Sequence, residues 1–220
     1  MFDKKINIFM GMFGSGKTEI SLNAAIKLKS EYENVAIADI DVISSYFRSR
    51  DMIETFESKD IKIIAPEGKL MHADLPIIVP QVAGYITRKD YRVIIDVGGN
   101  DDGAVVLSSL KNHIDSQEST THFIVNPYRP FTDTVGKTVD HIERLSQKSR
   151  RKINYLINNA NLGEETKEEH IEYGESFIKE VSEATNIPVL ATVIMNGVKS
   201  KNTEFTIFNV TKYIKKIWEV

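Results

Sequence analysis

The chain of 220 residues contains no cysteine, which excludes disulfides, thiolate metal sites and iron–sulfur clusters. Long hydrophobic runs are missing too. The apolar stretches, such as Val93–Ile95 and Ile77–Val79, fall far short of the ~20 residues a membrane span needs. No internal repeat, low-complexity tract or Pro/Gly-rich linker interrupts the chain, so a single domain over 1–220 is expected. A net charge of −3 gives no strong basic signal for gripping nucleic acid. Met1-Phe2-Asp3-Lys4-Lys5 runs directly into a strand-like segment and leaves no room for a signal peptide; a cytoplasmic location is expected and membrane attachment is not. His72, His113, His122, His141 and His170 show no metal-ligand spacing.

What the chain does have is alternation. Short β-rich runs fall at Ile6–Met10, Val35–Asp39, Ile61–Ala65, Arg92–Val97, His122–Asn126, Asn154–Asn158 and Val189–Ile194. Several are apolar on both faces, as in a parallel sheet covered on both sides. Between them lie helical patterns. Glu19–Ser30 carries Ile20, Ala24 and Leu28 at four-residue spacing, and Thr166 with Glu169 reads as a capping box for a helix burying Ile171, Ile178 and Val181. The expected fold is α/β: a doubly wound, mainly parallel sheet with helices on both faces. Ligands of such sheets bind at the carboxyl ends of the strands.

The first strand ends in Gly11-Met12-Phe13-Gly14-Ser15-Gly16-Lys17-Thr18, which fits G-x-x-x-x-G-K-[ST] between a strand and a helix. Gly11, Gly14 and Gly16 let the backbone curl so that successive N–H groups face a phosphate chain. Lys17 is expected to reach the β- and γ-phosphates and Thr18 to ligate Mg²⁺. Ser15 and Glu19 are counted with the loop as nucleotide contacts. The start of the following helix adds its positive dipole end.

Two acidic segments follow. The second strand ends in Ala38-Asp39-Ile40-Asp41, whose alternation aims both carboxylates the same way. They can hold the water shell of Mg²⁺ and orient an attacking water, or act as a helix cap and a solvated acid. A later strand runs through Asp96 into Val97-Gly98-Gly99, a pattern suited to a metal-supporting carboxylate and to main-chain N–H groups near a γ-phosphate. Asp101 and Asp102 read as caps of the next helix.

In this order the phosphate loop, the Asp-x-Asp and the Asp-x-Gly-Gly resemble the MinD/ParA/CobQ-type family of P-loop ATPases over most of the chain. The resemblance implies ATP and Mg²⁺ as ligands, Asp41 positioning the hydrolytic water, and Asp39 and Asp96 supporting the metal. It also implies a nucleotide-dependent homodimer and a protein partner that reads the ATP and ADP states. Many members carry a lysine directly after the first glycine of the loop, where it reaches across the dimer; here that residue is Met12. The related branch similar to dethiobiotin synthetase and cobyrinate amide synthases, which acts on small molecules, is the alternative.

By the same resemblance, an Asn at the end of the sixth strand reads adenine. Asn158 is the candidate, not separable in sequence from Asn159 or from a plain Asn turn. No Asn-Lys-x-Asp segment for guanine occurs, which favours ATP. Arg129 is a phosphate contact or a surface arginine. Tyr46-Phe47-Arg48-Ser49-Arg50 lies beyond Asp41, where a switch segment would meet a partner; a helix with one packed face is the default reading. The amphipathic stretch from Ile207 to Trp218 reads as a helix closing the sheet rather than one lying on a membrane.

Overall fold

The computed structural model describes residues 1–41, 50–65, 78–195, 197–198 and 203–214, with side chains excepted at 50–52, 78 and 79. Its strands are β1 (Ile6–Gly11), β2 (Asn34–Asp39), β3 (Ile61–Ile64), β4 (Tyr91–Asp96), β5 (Ser119–Val125), β6 (Tyr155–Asn158), β7 (Val189–Met195) and β8 (Ile207–Val210). They form one sheet in the order β3-β2-β4-β1-β5-β6-β7-β8, and every neighbouring pair is parallel. The helices are α1 (Lys17–Lys29), α2 (Arg50–Glu57), α3 (Ile78–Thr87), α4 (Asp101–Ser109), α5 (Lys111–Asp115), α6 (Val135–Ser149) and α7 (Glu168–Thr185).

Alternation along β1 divides the core. Ile6, Ile8 and Met10 face a cluster built with Val82 of α3, Leu107 of α4, Ile142 of α6 and Ile178 of α7. Phe9 faces the opposite cluster with Leu22 and Leu28 of α1, Phe56 of α2 and Phe208 of β8. Both faces of the sheet are therefore covered, as expected for a doubly wound fold. The chain steps away from β1 in one direction through β2 and β3 and in the other through β5 to β8. The carboxyl end of β1 is thus the point where the winding changes direction, the usual place for a ligand crevice.

Local expectations were met unevenly. α1 buries Ile20, Ala24 and Leu28, but also Leu22 and Ala25, because it lies between the sheet and the chain after β8. Asn23 receives a hydrogen bond from the Thr211 N–H at 2.8 Å and donates to the Thr211 carbonyl at 2.9 Å. The expected C-terminal helix does not begin at Ile207. Residues Ile207–Val210 form an edge strand with Phe208 and Val210 turned inward, and Lys215–Trp218 lie outside the described residues. Four residues of alternation are too few to separate a strand from one turn of an amphipathic helix.

Two caps also differ from expectation. Asn100, rather than Asp101 or Asp102, caps α4 by accepting from the Gly103 N–H at 3.0 Å, an arrangement worth ~1 kcal/mol. The α7 capping box expected of Thr166 and Glu169 is not formed. The His170 Nδ1 accepts from the Lys167 N–H at 2.9 Å, while Thr166 closes the preceding turn by accepting from Leu162 N–H and donating to the Gly163 carbonyl. Ile171, Ile178 and Val181 are buried as expected. Among the described residues no helix is long and apolar enough to cross a membrane.

Candidate functional site

The loop after β1 has the shape its sequence implies. Gly11, Gly14 and Gly16 all have positive φ. Gly16, at φ 90°, is the N-cap of α1 and supplies no side-chain cap, so the first N–H groups of the helix remain available to an anion. A side chain there would also collide with Asn159, whose Nδ2 lies 2.2 Å from the Cβ position. Lys17 is 7% exposed, and its Nζ donates to the Met12 carbonyl at 3.1 Å. Burial lowers its pKa, while Asp96, Asp41 and Asp39 raise it. Three carboxylates therefore surround one ammonium.

Those carboxylates come from two adjacent strands. Asp39 and Asp96 are register partners across β2 and β4, and both are buried. Asp39 Oδ1 accepts from the Asp41 N–H at 2.9 Å. β2 ends at Asp39, so Asp41 stands just beyond the strand and lines the cavity beside the loop. Its Oδ1 lies 3.2 Å from the Cβ position of Gly98, which brings the two segments expected to meet a γ-phosphate together. Gly99 packs directly on the loop, its Cβ position 2.6 Å from the Phe13 nitrogen and 3.0 Å from Lys17 Nζ.

Asp96 is the site's unbalanced group. Its Oδ1 is buried and has no hydrogen-bond partner among the described residues. Burial pushes its carboxyl up to about 6, with Lys17 and the Thr18 hydroxyl pulling it back and Asp41 adding to the rise. A buried carboxylate oxygen with a spare lone pair beside the Thr18 hydroxyl fits Mg²⁺, which takes one or two carboxylates and fills its other positions with water and phosphate oxygens. A dedicated cage of three or more acidic or histidine ligands is absent among the described residues.

A cavity of about 280 Å³ opens beside the loop. Its lining mixes charged and polar side chains, Lys17, Thr18, Asp41 and Arg129 among them, with the apolar Ile20, Met195, Val210 and Ile214. Asn159 and Asn161 also border it. Asn159 is 5% exposed and donates to the Ser15 carbonyl at 2.6 Å. Asn158 does not border the cavity: its Nδ2 points to the Thr192 hydroxyl at 3.4 Å and its Oδ1 accepts from the Ala160 N–H at 3.1 Å. Ser15 is fully buried inside the loop. Glu19 touches the cavity, but its carboxylate accepts from the N–H groups of Tyr213 at 2.5 Å and Ile214 at 3.2 Å. It holds the chain's own C-terminal segment, and burial raises its pKa against those two bonds.

Met12 is 6% exposed and packs into the apolar cluster on the α3–α7 face. Sequence reasoning left Arg129 undecided; the structure seats it on the loop, with Nε donating to the Gly14 carbonyl at 3.0 Å. It missed Asn161, Lys212 and Ile214 as cavity residues. Arg48 lies outside the described residues, as do Tyr46, Phe47, Ser49, His72 and the side chain of Arg50.

No protein-family model matches the sequence, and no curated protein matches it. Solved structures do. Chloroplast FtsY from Physcomitrella patens is similar at a TM-score of 0.57 and 16% identity, over 85% of this chain and 57% of that one. FtsY from Thermotoga maritima, a cell division protein by name, gives 0.54 and 15%, over 89% of this chain and 62% of that one. A nucleotide-binding protein from Archaeoglobus fulgidus, solved with ADP, gives 0.50 and 16%, over 91% of this chain and 84% of that one. The chain spans about three fifths of the length of the FtsY structures it resembles. At these identities the likeness is one of fold, and the chain has the all-parallel α/β fold of these proteins.

Proposed function

We propose that this chain binds Mg-ATP on Gly11–Thr18 and hydrolyses it slowly, acting as a nucleotide switch on a partner protein. The observation that carries the reading is the unpartnered Oδ1 of buried Asp96 beside Lys17 and Thr18 at an uncapped helix start. The ADP bound to the Archaeoglobus protein of similar fold agrees with it.

In this reading the N–H groups of Gly14, Gly16, Lys17 and Thr18 and the Lys17 ammonium hold the β- and γ-phosphates, while the Ser15 N–H closes the loop on the Met12 carbonyl at 3.1 Å. Thr18 and Asp96 ligate Mg²⁺, with Asp39 behind them. Bound Mg²⁺ supplies charge neutralisation at the phosphates. Asp41 orients the attacking water, and Gly98, against which it rests, donates its N–H toward the γ-phosphate. Loss of that phosphate frees both segments, which is the difference a partner protein, or a second copy of this chain, would read. Ile20, Met195, Val210 and Ile214 form the wall for the base. Asn159 and Asn161, which border the cavity, replace Asn158, which does not, as candidates for its polar edge.

Met12 offers no charge to a transition state. A cation reaching in from a partner can be worth ~10³–10⁵ in rate in such enzymes, so the isolated chain is expected to turn over on the order of hours. Phosphate release from ATP by the purified chain tests the reading, with GTP as competitor. Slow Mg-dependent release that prefers ATP and needs no added metabolite supports it. Release that appears only with a small-molecule acceptor transfers the assignment to an ATP-dependent ligase or kinase. Equal affinity for GTP removes the adenine assignment.

A further inference from the structure

Arg129 follows β5, on the side of the loop away from the carboxylates, and its backbone is tightly held. Asn126 is fully buried; its Oδ1 accepts from the Tyr128 N–H at 3.1 Å and its Nδ2 donates to the Asn161 carbonyl at 3.0 Å. The Asn126 carbonyl accepts from the Arg129 N–H at 3.2 Å and from the Thr132 hydroxyl at 2.6 Å. Pro127 and Pro130 flank the turn and fix two φ angles. A long cationic side chain is thus launched from a rigid base, which lowers the entropy cost of holding its head in one place.

The head is held by one edge only. Nε donates to the Gly14 carbonyl, and the side chain packs over Gly14, with Arg129 Cδ and Nε each 3.5 Å from the position a Cβ would take, an ordinary van der Waals distance. Gly14 has φ 76°, a conformation other residues adopt only with strain. The two Nη groups have no hydrogen-bond partner, and no carboxylate lies within ion-pair distance of Arg129, among the described residues. The other cations on the cavity are both compensated. Lys17 sits among three carboxylates, and Lys212 stands 4.0 Å from Glu164.

We propose that Arg129 grips the phosphate chain of the bound nucleotide in cis, its Nη fork taking phosphate oxygens while Nε stays on Gly14. A planar fork suits two oxygens of one phosphate better than an ammonium does. Arg129 then adds to the affinity for the bound nucleotide, while the transition-state cation that Met12 cannot supply is still absent from the isolated chain. The proposal rests on nucleotide binding at the loop.

The test is equilibrium binding of ADP and of ATPγS, with Mg²⁺, to the wild-type chain and to Arg129→Ala, Arg129→Gln and Arg129→Lys. Thermal unfolding of each variant confirms that it folds. Arg129→Ala is expected to weaken both nucleotides about tenfold to a hundredfold, as for loss of charged hydrogen bonds. Arg129→Gln keeps a neutral donor near Gly14 and is expected to lose as much; Arg129→Lys is expected to recover part of the affinity. Wild-type affinity in Arg129→Ala, or full recovery in Arg129→Gln, overturns the proposal and leaves Arg129 as a brace for the loop. Wild-type chain that binds neither nucleotide overturns the nucleotide reading itself, and this inference with it.

Discussion

Asp39 and Asp96 stand opposite one another on neighbouring parallel strands, and both act on the Lys17 ammonium. Like charges so close are costly in a buried setting unless a cation joins them. Lys17 supplies one positive charge against the three carboxylates Asp39, Asp41 and Asp96. On the proposed reading, Mg²⁺ would add positive charge on the carboxylate side and Arg129 would meet the phosphates on the other.

Asp41 stands apart from the buried pair, at the cavity wall and against Gly98. Its loss is expected to affect chemistry more than binding. Asp41→Ala should hold Mg-ATP within a few-fold of wild type while single-turnover hydrolysis slows by ~10²–10⁴, the usual worth of a positioned acid–base group. Unchanged turnover in that variant would remove Asp41 from the mechanism.

Glu19 ties α1 to the segment that follows β8. Its carboxylate accepts from two backbone N–H groups, and Lys212 and Ile214 in that segment border the cavity. Glu19→Ala should speed hydrogen exchange at the Tyr213 and Ile214 amides and lower stability by ~1.5–3 kcal/mol, the net worth of hydrogen bonding to a charged acceptor, since the half-buried donors can turn to water. Exchange at both amides identical to wild type would show that the segment is held by other contacts.

His122 makes acid stability measurable. It is buried between Phe2, Phe9 and Tyr155, with Nε2 3.3 Å from Asn7 Oδ1. Burial lowers its pKa to about 3, against ~6.5 in the unfolded chain. Between those values the unfolded state binds a proton that the folded state does not. Stability therefore falls as pH drops from about 6.5 toward 3, by up to ~1.4 kcal/mol per pH unit from this group, and is insensitive to it above 6.5. His122→Phe should remove that component of the slope, whatever the loss from stranding Asn7. Urea unfolding across this range decides it, and an equally steep profile in both proteins would assign the slope elsewhere.

The parts of the fold that could be read in the sequence are those whose signal is contiguous. β1, the loop and the start of α1 are one unbroken run, and the apolar strands ending at Asp39 and Asp96 declare themselves by composition. β8 did not, because Ile207–Val210 offers a single inward pair, Phe208 and Val210, and the residues after it have helical spacing. Arg129 and Asn159 reach the loop from positions 115 and 144 residues from their partners Gly14 and Ser15. No local pattern carries such a contact. Asn158 illustrates the complement: the right residue at the right strand end, turned inward because Thr192 on β7 and the Ala160 N–H claim its amide. Glu19 looked like part of the nucleotide loop for the same reason, and only the path of the C-terminal segment shows what it holds.

The central claim is that Gly11–Thr18 grips a nucleotide through Lys17 and a metal through Thr18. Calorimetric titration of Mg-ATPγS into wild-type chain, Lys17→Ala and Thr18→Ala tests it most directly. The account predicts one site per chain that weakens when Mg²⁺ is withdrawn, and affinity lower by about tenfold to a hundredfold in each variant. No heat of binding in the wild-type chain, or wild-type affinity in both variants, would contradict it.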